Sequence, residues 1–455
     1  MAQTTRIEPP AEPDEPVVEP ARPAAQAAAA EKATLEALTP PAARREVRIQ
    51  PRTLKGFNDY LPEQALKRQQ VQERLRHLFE RWGYAPLETP ALEYADVLLG
   101  RYGAEAEKLI YRFVDHGGRD VALRYDQTVP FARVVAQYPQ LPRPFRRYQF
   151  QRVWRGENTG RGREREFTQC DVDIAGAAGP VADAEILAIA SEGYHAIGFT
   201  RVRILVNDRT LFDELGISRA EIIAIDKLDK IGPEGVVREL VQVGRAEPEA
   251  RDLLQRLRDM APTPRLQEVM AAAADLGMPA EDLLFDPTLA RGLEYYTSTV
   301  LEVRSPDYPA GSIGGGGRYD TLLARFTGRD IPAVGFSFGL ERVVEALEAI
   351  GAFSGLRAAP DAVAIALGRP QLAWAGRVAA RLRAAGVSVA ISTEPDRPAG
   401  RQLEAASKLG ARYALLIGED EAAAQQITLR DLEARAQERL DLDSLVARLA
   451  VGGSQ

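Results

Sequence analysis

Residues 143 to 176, RPFRRYQFQRVWRGENTGRGREREFTQCDVDIAG, constrain this chain more than any other stretch. Arginines at 146, 147, 152, 155, 161, 163 and 165 gather around a glycine-bearing loop, and the segment closes on the alternating run QCDVDI. Alternation with period two puts Gln169, Asp171 and Asp173 on one face of a strand. An arginine-bearing loop that leads into a strand of inward acids suits a ligand with two unlike ends. Guanidinium groups hold a polyphosphate bidentately, while carboxylates hold an ammonium or a protonated ring. The plainer reading is a solvated charged hairpin, and the segment alone leaves both open.

Three further stretches carry chemistry-bearing side chains. In LARGLEYYTSTVLEV, Arg291 precedes Tyr295 and Tyr296, which the pattern places on opposite faces of a strand. In LRYDQTVPFARVVA, Asp126 and Thr128 share a face, ahead of a strand end and turn around Pro130. In AVGFSFGLERVV, a short strand runs into a helix with Arg342 near its start. Taken singly, these read as core tyrosines, a turn and a helical salt bridge. GSIGGGGRYD, from Gly311 to Asp320, reads as a glycine-rich turn.

The 455 residues exceed one typical core, so two or three domains are expected. Residues 1–46, rich in Pro, Glu and Ala, read as a disordered arm. From Pro62 to Trp82, Leu66, Val71, Leu75, Leu78 and Phe79 recur at helical spacing. VRILVND reads as a strand, and residues 211–276 are helical by pattern. Beyond a linker with Gly355 and Pro360, strand and helix patterns alternate βαβαβ, which predicts a separate α/β domain. The net charge of −7 rules out nucleic-acid binding by overall charge, so any RNA contact rests on local arginine clusters. Cys170 is the one cysteine, which excludes an internal disulfide and a cysteine-cluster metal site. No apolar run is long enough to span a bilayer. There is no secretory pattern, and the acidic N-terminus argues against a mitochondrial transit peptide, so a cytoplasmic location is expected.

Together and in this order, the segments resemble the motifs of class II aminoacyl-tRNA synthetases, and within that class the histidyl-tRNA synthetase family. The arginine loop with its strand resembles motif 2, and the GLER strand-to-helix resembles motif 3. GYAPLETPALE resembles motif 1, with Pro90 at its centre. LARGLEYYTSTV, QCDVDIAG, LRYDQTVPFAR, GGGGRYD and GFNDYLPEQ resemble stretches of the histidyl family. GRQLEAASKLGARYALLIGEDE resembles its anticodon-binding domain. The likeness covers roughly residues 50 to 450.

The resemblance implies an α+β fold: a class II antiparallel sheet flanked by helices over 47–354, a helical insertion at about 211–280, and a C-terminal α/β anticodon-binding domain over 359–452. It implies activation of L-histidine by ATP with Mg²⁺, transfer to tRNA(His), and a homodimer built on motif 1. By position, Arg155, Arg291 and Arg342 are the catalytic arginines, with Arg163 and Glu157 also on the ATP side. Asp126, Thr128 and Gln169 match the positions that hold the α-ammonium, Asp173 and Tyr296 those that hold the imidazole, and Tyr295 stands beside them. Phe150, like Glu157, matches an adenine contact. The sequence departs from the family at Gln127, where an aliphatic or small residue is usual, and at Glu294, usually aspartate. The motif 2 loop GENTGRG is short and lacks an Arg-Pro-Gln element. The alternative is a histidyl-synthetase-like regulatory subunit of ATP phosphoribosyltransferase. Such paralogues generally lack the anticodon-binding domain. A class II enzyme for threonine or proline would leave the segment from Arg291 to Tyr296 a coincidence.

Overall fold

The computed structural model describes residues 49–99, 109–160, 162–290, 295–308 and 311–450. The arm expected at 1–46 lies outside the described residues, as do Arg161, Arg291 and Glu294. The chain divides into two compact units, one of residues 1–59 and 74–346, the other of 60–73 and 347–455.

The first unit holds eleven strands among its described residues. They are β1 (Ala85–Pro86), β2 (Leu92–Tyr94), β3 (Tyr111–Val114), β4 (Asp120–Leu123), β5 (Phe145–Trp154), β6 (Glu166–Ala175), β7 (Arg203–Asp208), β8 (Leu283–Phe285), β9 (Thr299–Arg304), β10 (Gly314–Arg318) and β11 (Ala333–Gly339). Eight form one sheet in the order β1-β5-β6-β11-β10-β9-β7-β8, and β2-β4-β3 form a small sheet. The six central strands are antiparallel, as expected, but the two short edge strands β1 and β8 run parallel to their neighbours. The main sheet is therefore mixed.

The long hairpin β5–β6 sets the faces. Arg147 pairs with Asp173, Gln149 with Asp171, and Gln151 with Gln169. On the other side of β6, those acids and Gln169 meet Gly335, Ser337 and Gly339 of β11. One face of three adjacent strands is thus polar. The opposite face packs aromatics. Phe79, from the helix Pro62–Arg81, lies 5.8 Å from both Tyr148 and Phe150, and Tyr194 of the helix Pro180–Ile197 lies 4.8 Å from Phe338. Phe79 and Tyr194 are fully buried, each contributing about 2–3 kcal/mol by removal from water. Pro180 opens its helix at a position that needs no N–H, and Gly198, at φ 122°, ends it in a conformation that glycine adopts without a Cβ clash.

The run read as a glycine-rich turn is strand β10. Its glycines leave room for close neighbours. A Cβ on Gly316 would overlap the Gly335 carbonyl, and one on Gly335 would overlap the Asp173 carboxylate. The absence of side chains, which reads locally as a turn, is here a demand of sheet packing.

Five helices lie between β7 and β8, covering the segment read as helical: Thr210–Glu214, Arg219–Ile225, Leu228–Gln242, Glu247–Arg258 and Pro264–Asp275. They bury their own core around Phe212, Ile225, Val236, Leu240, Leu253 and Leu257. Thr263 caps the last helix, its hydroxyl accepting from the Leu266 N–H at 3.1 Å.

The second unit carries β12 (Ala362–Ala366), β13 (Val389–Ile391), β14 (Tyr413–Ile417), β15 (Gln426–Asp431) and β16 (Gln437–Asp441), ordered β13-β12-β14-β15-β16. The parallel β13-β12-β14 core, with the helices Leu372–Ala384 and Ala399–Lys408 as crossovers, is the expected βαβαβ unit. The antiparallel hairpin β15–β16 was not anticipated. The outer strand QERLD is almost wholly exposed, so it shows no apolar alternation to read.

Candidate active site

The polar face of β6 and β11, with the glycines of β10 beside it, floors a cavity of about 880 Å³ in the first unit. Every described residue matched to the family's binding positions lines it, Phe150 excepted. Phe150 stands on the opposite face, because residues one apart on a strand point to opposite sides and Phe150 lies between Gln149 and Gln151. Phe167, under the Arg155 guanidinium, lines the cavity instead.

One end of the cavity is acidic. Asp126 lies between β4 and the helix Thr128–Gln137. Its Oδ1 accepts from the Val129 N–H at 3.1 Å and so serves the first helical turn, while its Oδ2 has no protein partner. Pro130, expected in a turn, sits in that first turn of helix, where its missing N–H costs nothing. Thr128 bonds the Tyr295 phenol. Gln169 donates from Nε2 to Ser337 Oγ at 3.1 Å, and its Oε1 has no partner. Asp173 lies 2.8 Å from Arg147 Nη2 and accepts from the Tyr319 hydroxyl. Tyr295 and Tyr296 were expected on opposite faces of a strand. They stand in a turn ahead of β9, both buried, with rings edge to face at 4.8 Å. Strand alternation does not reach them, so both side chains turn into one core cluster.

Burial governs the charges here. It pushes the Asp126 carboxyl up to about 6, against the backbone N–H bond and the nearby Arg155 and Arg147. Burial also raises Asp171 and Asp173, whose proximity adds repulsion at Asp171, while Arg147 pulls both down. Arg147 is fully buried and packs its guanidinium on the Phe131 ring at 4.7 Å. Gln127, the family departure, is also fully buried. Its Nε2 donates to the carbonyls of Gln151 at 2.8 Å and Gln169 at 3.0 Å, tying the helix start to the hairpin.

The other end is cationic. Arg155 follows β5, donates from Nε to the Tyr125 carbonyl at 3.0 Å, and lies over the Phe167 ring at 5.0 Å. Arg342, in the first turn of the helix Leu340–Ala349, donates to the carbonyls of Gly162 at 2.9 Å and Ser312 at 2.7 Å, which joins two loops. Arg163 and Glu157 face each other at 3.4 Å. Beside Arg342, the Glu341 carboxylate accepts from the Thr168 N–H at 3.0 Å. Among the described residues, no group of three or more His, Cys, Asp or Glu side chains is arranged to hold a metal ion alone.

Sequence reasoning gave no role to Arg147, Tyr319, Ser337 or Phe167. Arg147 was grouped with the loop arginines. The hairpin register, had it been counted back from the loop, puts it opposite Asp173. Ser337 is visible only through the pairing of β6 with β11.

A cavity with partnerless buried acceptors at one end and guanidinium groups at the other binds a cationic donor beside an anion. The comparisons agree. The family profile described as Histidyl-tRNA synthetase matches residues 56–343, and the profile described as Anticodon binding domain matches 361–451. A histidine–tRNA ligase of Aeropyrum pernix is 40% identical over 83% of this chain and 93% of its own length. That of Gloeobacter violaceus is 37% identical over 86% of this chain and 96% of its own. The crystal structure of a histidyl-tRNA synthetase from Nostoc sp. PCC 7120 superposes with a TM-score of 0.78 at 32% identity, covering 89% of this chain and all of that one.

Proposed function

This chain belongs to the histidyl-tRNA synthetase family, and from that premise we propose that it is a histidine–tRNA ligase, activating L-histidine with ATP and transferring it to tRNA(His). The observation that carries the reading is the two-ended cavity, acidic at Asp126, Asp171 and Asp173, with the Gln169 amide among them, and cationic at Arg155, Arg163 and Arg342. Residues 47–354 are assigned to catalysis, with the insertion at 211–280, and 359–452 to the anticodon.

A carboxylate oxygen of histidine attacks the α-phosphorus of ATP, and pyrophosphate leaves. Both reactants are anions, so the site must cancel repulsion and meet the charge that builds on phosphoryl oxygens. Arg155 is assigned to the α-phosphate and Arg342 to the γ-phosphate end, with Arg163 alongside. Arg291, outside the described residues, is assigned to the α-phosphate by its family position alone. Phe167, under Arg155, offers a face for the adenine ring. Magnesium commonly takes one or two carboxylates plus substrate phosphates. Glu341, which lines the cavity beside Arg342, would offer one such carboxylate. When bound, the ion neutralises phosphate charge. A terminal tRNA ribose hydroxyl then attacks the adenylate carbonyl, and AMP leaves.

Asp126, Thr128 and Gln169 are assigned to the α-ammonium, and Asp173 and Tyr296 to the imidazole, with Tyr295 behind them. Buried polar groups left unpaired by the wrong amino acid are what reject it. Leu92, Tyr94, Phe113 and Val114 are exposed on the small β2-β4-β3 sheet, which supports pairing with a second copy of the chain. No helix among the described residues is long and apolar enough to cross a membrane, and we assign the protein to the cytoplasm. Purified protein should exchange pyrophosphate into ATP only when histidine is present. A folded sample that shows no histidine-dependent exchange refutes the reading, and a stable complex with a phosphoribosyltransferase would replace it with the regulatory one.

A further inference from the structure

An amide side chain offers a ligand either its oxygen or its nitrogen, and the groups holding the other half decide which. Gln169 is nine-tenths buried. Its Nε2 donates to Ser337 Oγ at 3.1 Å and lies 3.5 Å from Asp171 Oδ1. The Ser337 hydroxyl in turn bonds the Asp171 carboxylate. The Ser337 hydroxyl and the nearby Arg147 favour the ionised form of Asp171 against its burial, and an ionised carboxylate only accepts, which sets the direction of the chain. Ser337 donates to Asp171 and accepts from the Gln169 amide. That leaves Gln169 Oε1 without a protein partner, as Asp126 Oδ2 is. Both residues line the same cavity.

We propose that Ser337 and Asp171 are positioning residues that hold the Gln169 amide oxygen toward the cavity, so that the amino-acid substrate is selected by its α-ammonium. This rests on the assignment of Gln169 to that ammonium. Asp126 alone would accept any hydrogen-bond donor. A second, locked acceptor favours a group that donates to two acceptors at once, which an ammonium does and a hydroxyl does not. Without the relay the amide is free to rotate, and its NH₂ then faces a cation.

The test compares histidine with imidazole lactate, which carries a hydroxyl where histidine carries the ammonium. In pyrophosphate exchange, Ser337→Ala raises the histidine KM roughly ten- to hundredfold, the range of a charge-assisted hydrogen bond. The ATP KM and the inhibition constant of imidazole lactate stay within about twofold, since neither involves the ammonium. Ser337→Thr keeps the hydroxyl and restores the histidine KM. Asp171→Asn, which can donate to Ser337 and so reverse the chain, reproduces the Ser337→Ala pattern. An unchanged histidine KM in Ser337→Ala overturns the proposal. So does an equal loss for ATP and imidazole lactate, the mark of a packing defect. Wild-type protein that does not use histidine at all refutes the ligase reading instead.

Discussion

Replacing Asp126 by Asn makes the protein more stable and less active, by amounts that follow from its burial. Asp126 is fully buried, and its carboxyl is pushed up from 3.8 to about 6. At about 1.36 kcal/mol per pKa unit, holding it ionised costs the fold about 3 kcal/mol. The folded pKa is raised, so the native chain binds this proton more tightly than the unfolded chain does. The cost is therefore absent below pH of about 4, grows as pH rises toward 6, and is constant above. Asn keeps a carbonyl for the Val129 N–H, so the helix start is retained. The melting temperature of Asp126→Asn should exceed that of the parent by roughly 6 °C at pH 8, at about 2 °C per kcal/mol, and match it near pH 4. Trp82 and Trp154 lie in the first unit and Trp374 in the second, so a Trp374→Phe background lets fluorescence follow the unit that holds the site. The same variant loses roughly ten- to hundredfold in histidine KM, because a charge-assisted acceptor has become a neutral one. A gap that is missing at pH 8, or as large at pH 4 as at pH 8, refutes the argument that burial of this charge strains the fold.

Two more outcomes are expected. Arg147→Met leaves Asp171 and Asp173 buried without their counter-charge, and costs about 3–5 kcal/mol in urea unfolding. Adding Asp173→Asn recovers part of that, and a loss under 1 kcal/mol would show that the ion pair is not what the acids depend on. Gly335→Ala drives a Cβ into the Asp173 carboxylate and costs about 1–3 kcal/mol, with a histidine KM raised far more than the ATP KM. Equal effects on the two substrates would mean that Asp173 does not face the amino acid.

The parts of this molecule with one strong period were legible beforehand. QCDVDI announced a strand with a polar face, the spacing of Leu75, Leu78 and Phe79 announced a buried helix face, and AVAIAL to YALLIG announced the parallel unit. The residues that share the cavity were picked out through family resemblance, since each stretch alone had a plainer account. What stayed hidden depends on neighbours remote in sequence. Gly314, Gly316 and Gly317 sit in a strand where Tyr194, Tyr296 and the β11 backbone crowd them, and no local pattern records that. Tyr295 and Tyr296 point one way because β9 starts only at Thr299. Phe150 shares a face with Phe79 and Tyr148 in the core, while Phe167, on the paired strand, lines the cavity, and only the hairpin's pairing tells the two apart.

The pairing of β6 with β11 also sets an order of events in synthesis. Asp173 and its partner Gly335 lie about 160 residues apart, a stretch that takes roughly 8 to 30 s to translate. Through that time the hairpin β5–β6 waits with one long edge open. An open edge invites pairing with a neighbouring chain unless charge discourages it. Asp171 and Asp173 stand along that edge, where they are still wet and ionised. The acids whose burial later costs the folded protein stability are, on the nascent chain, what keeps an unfinished sheet from joining the wrong one.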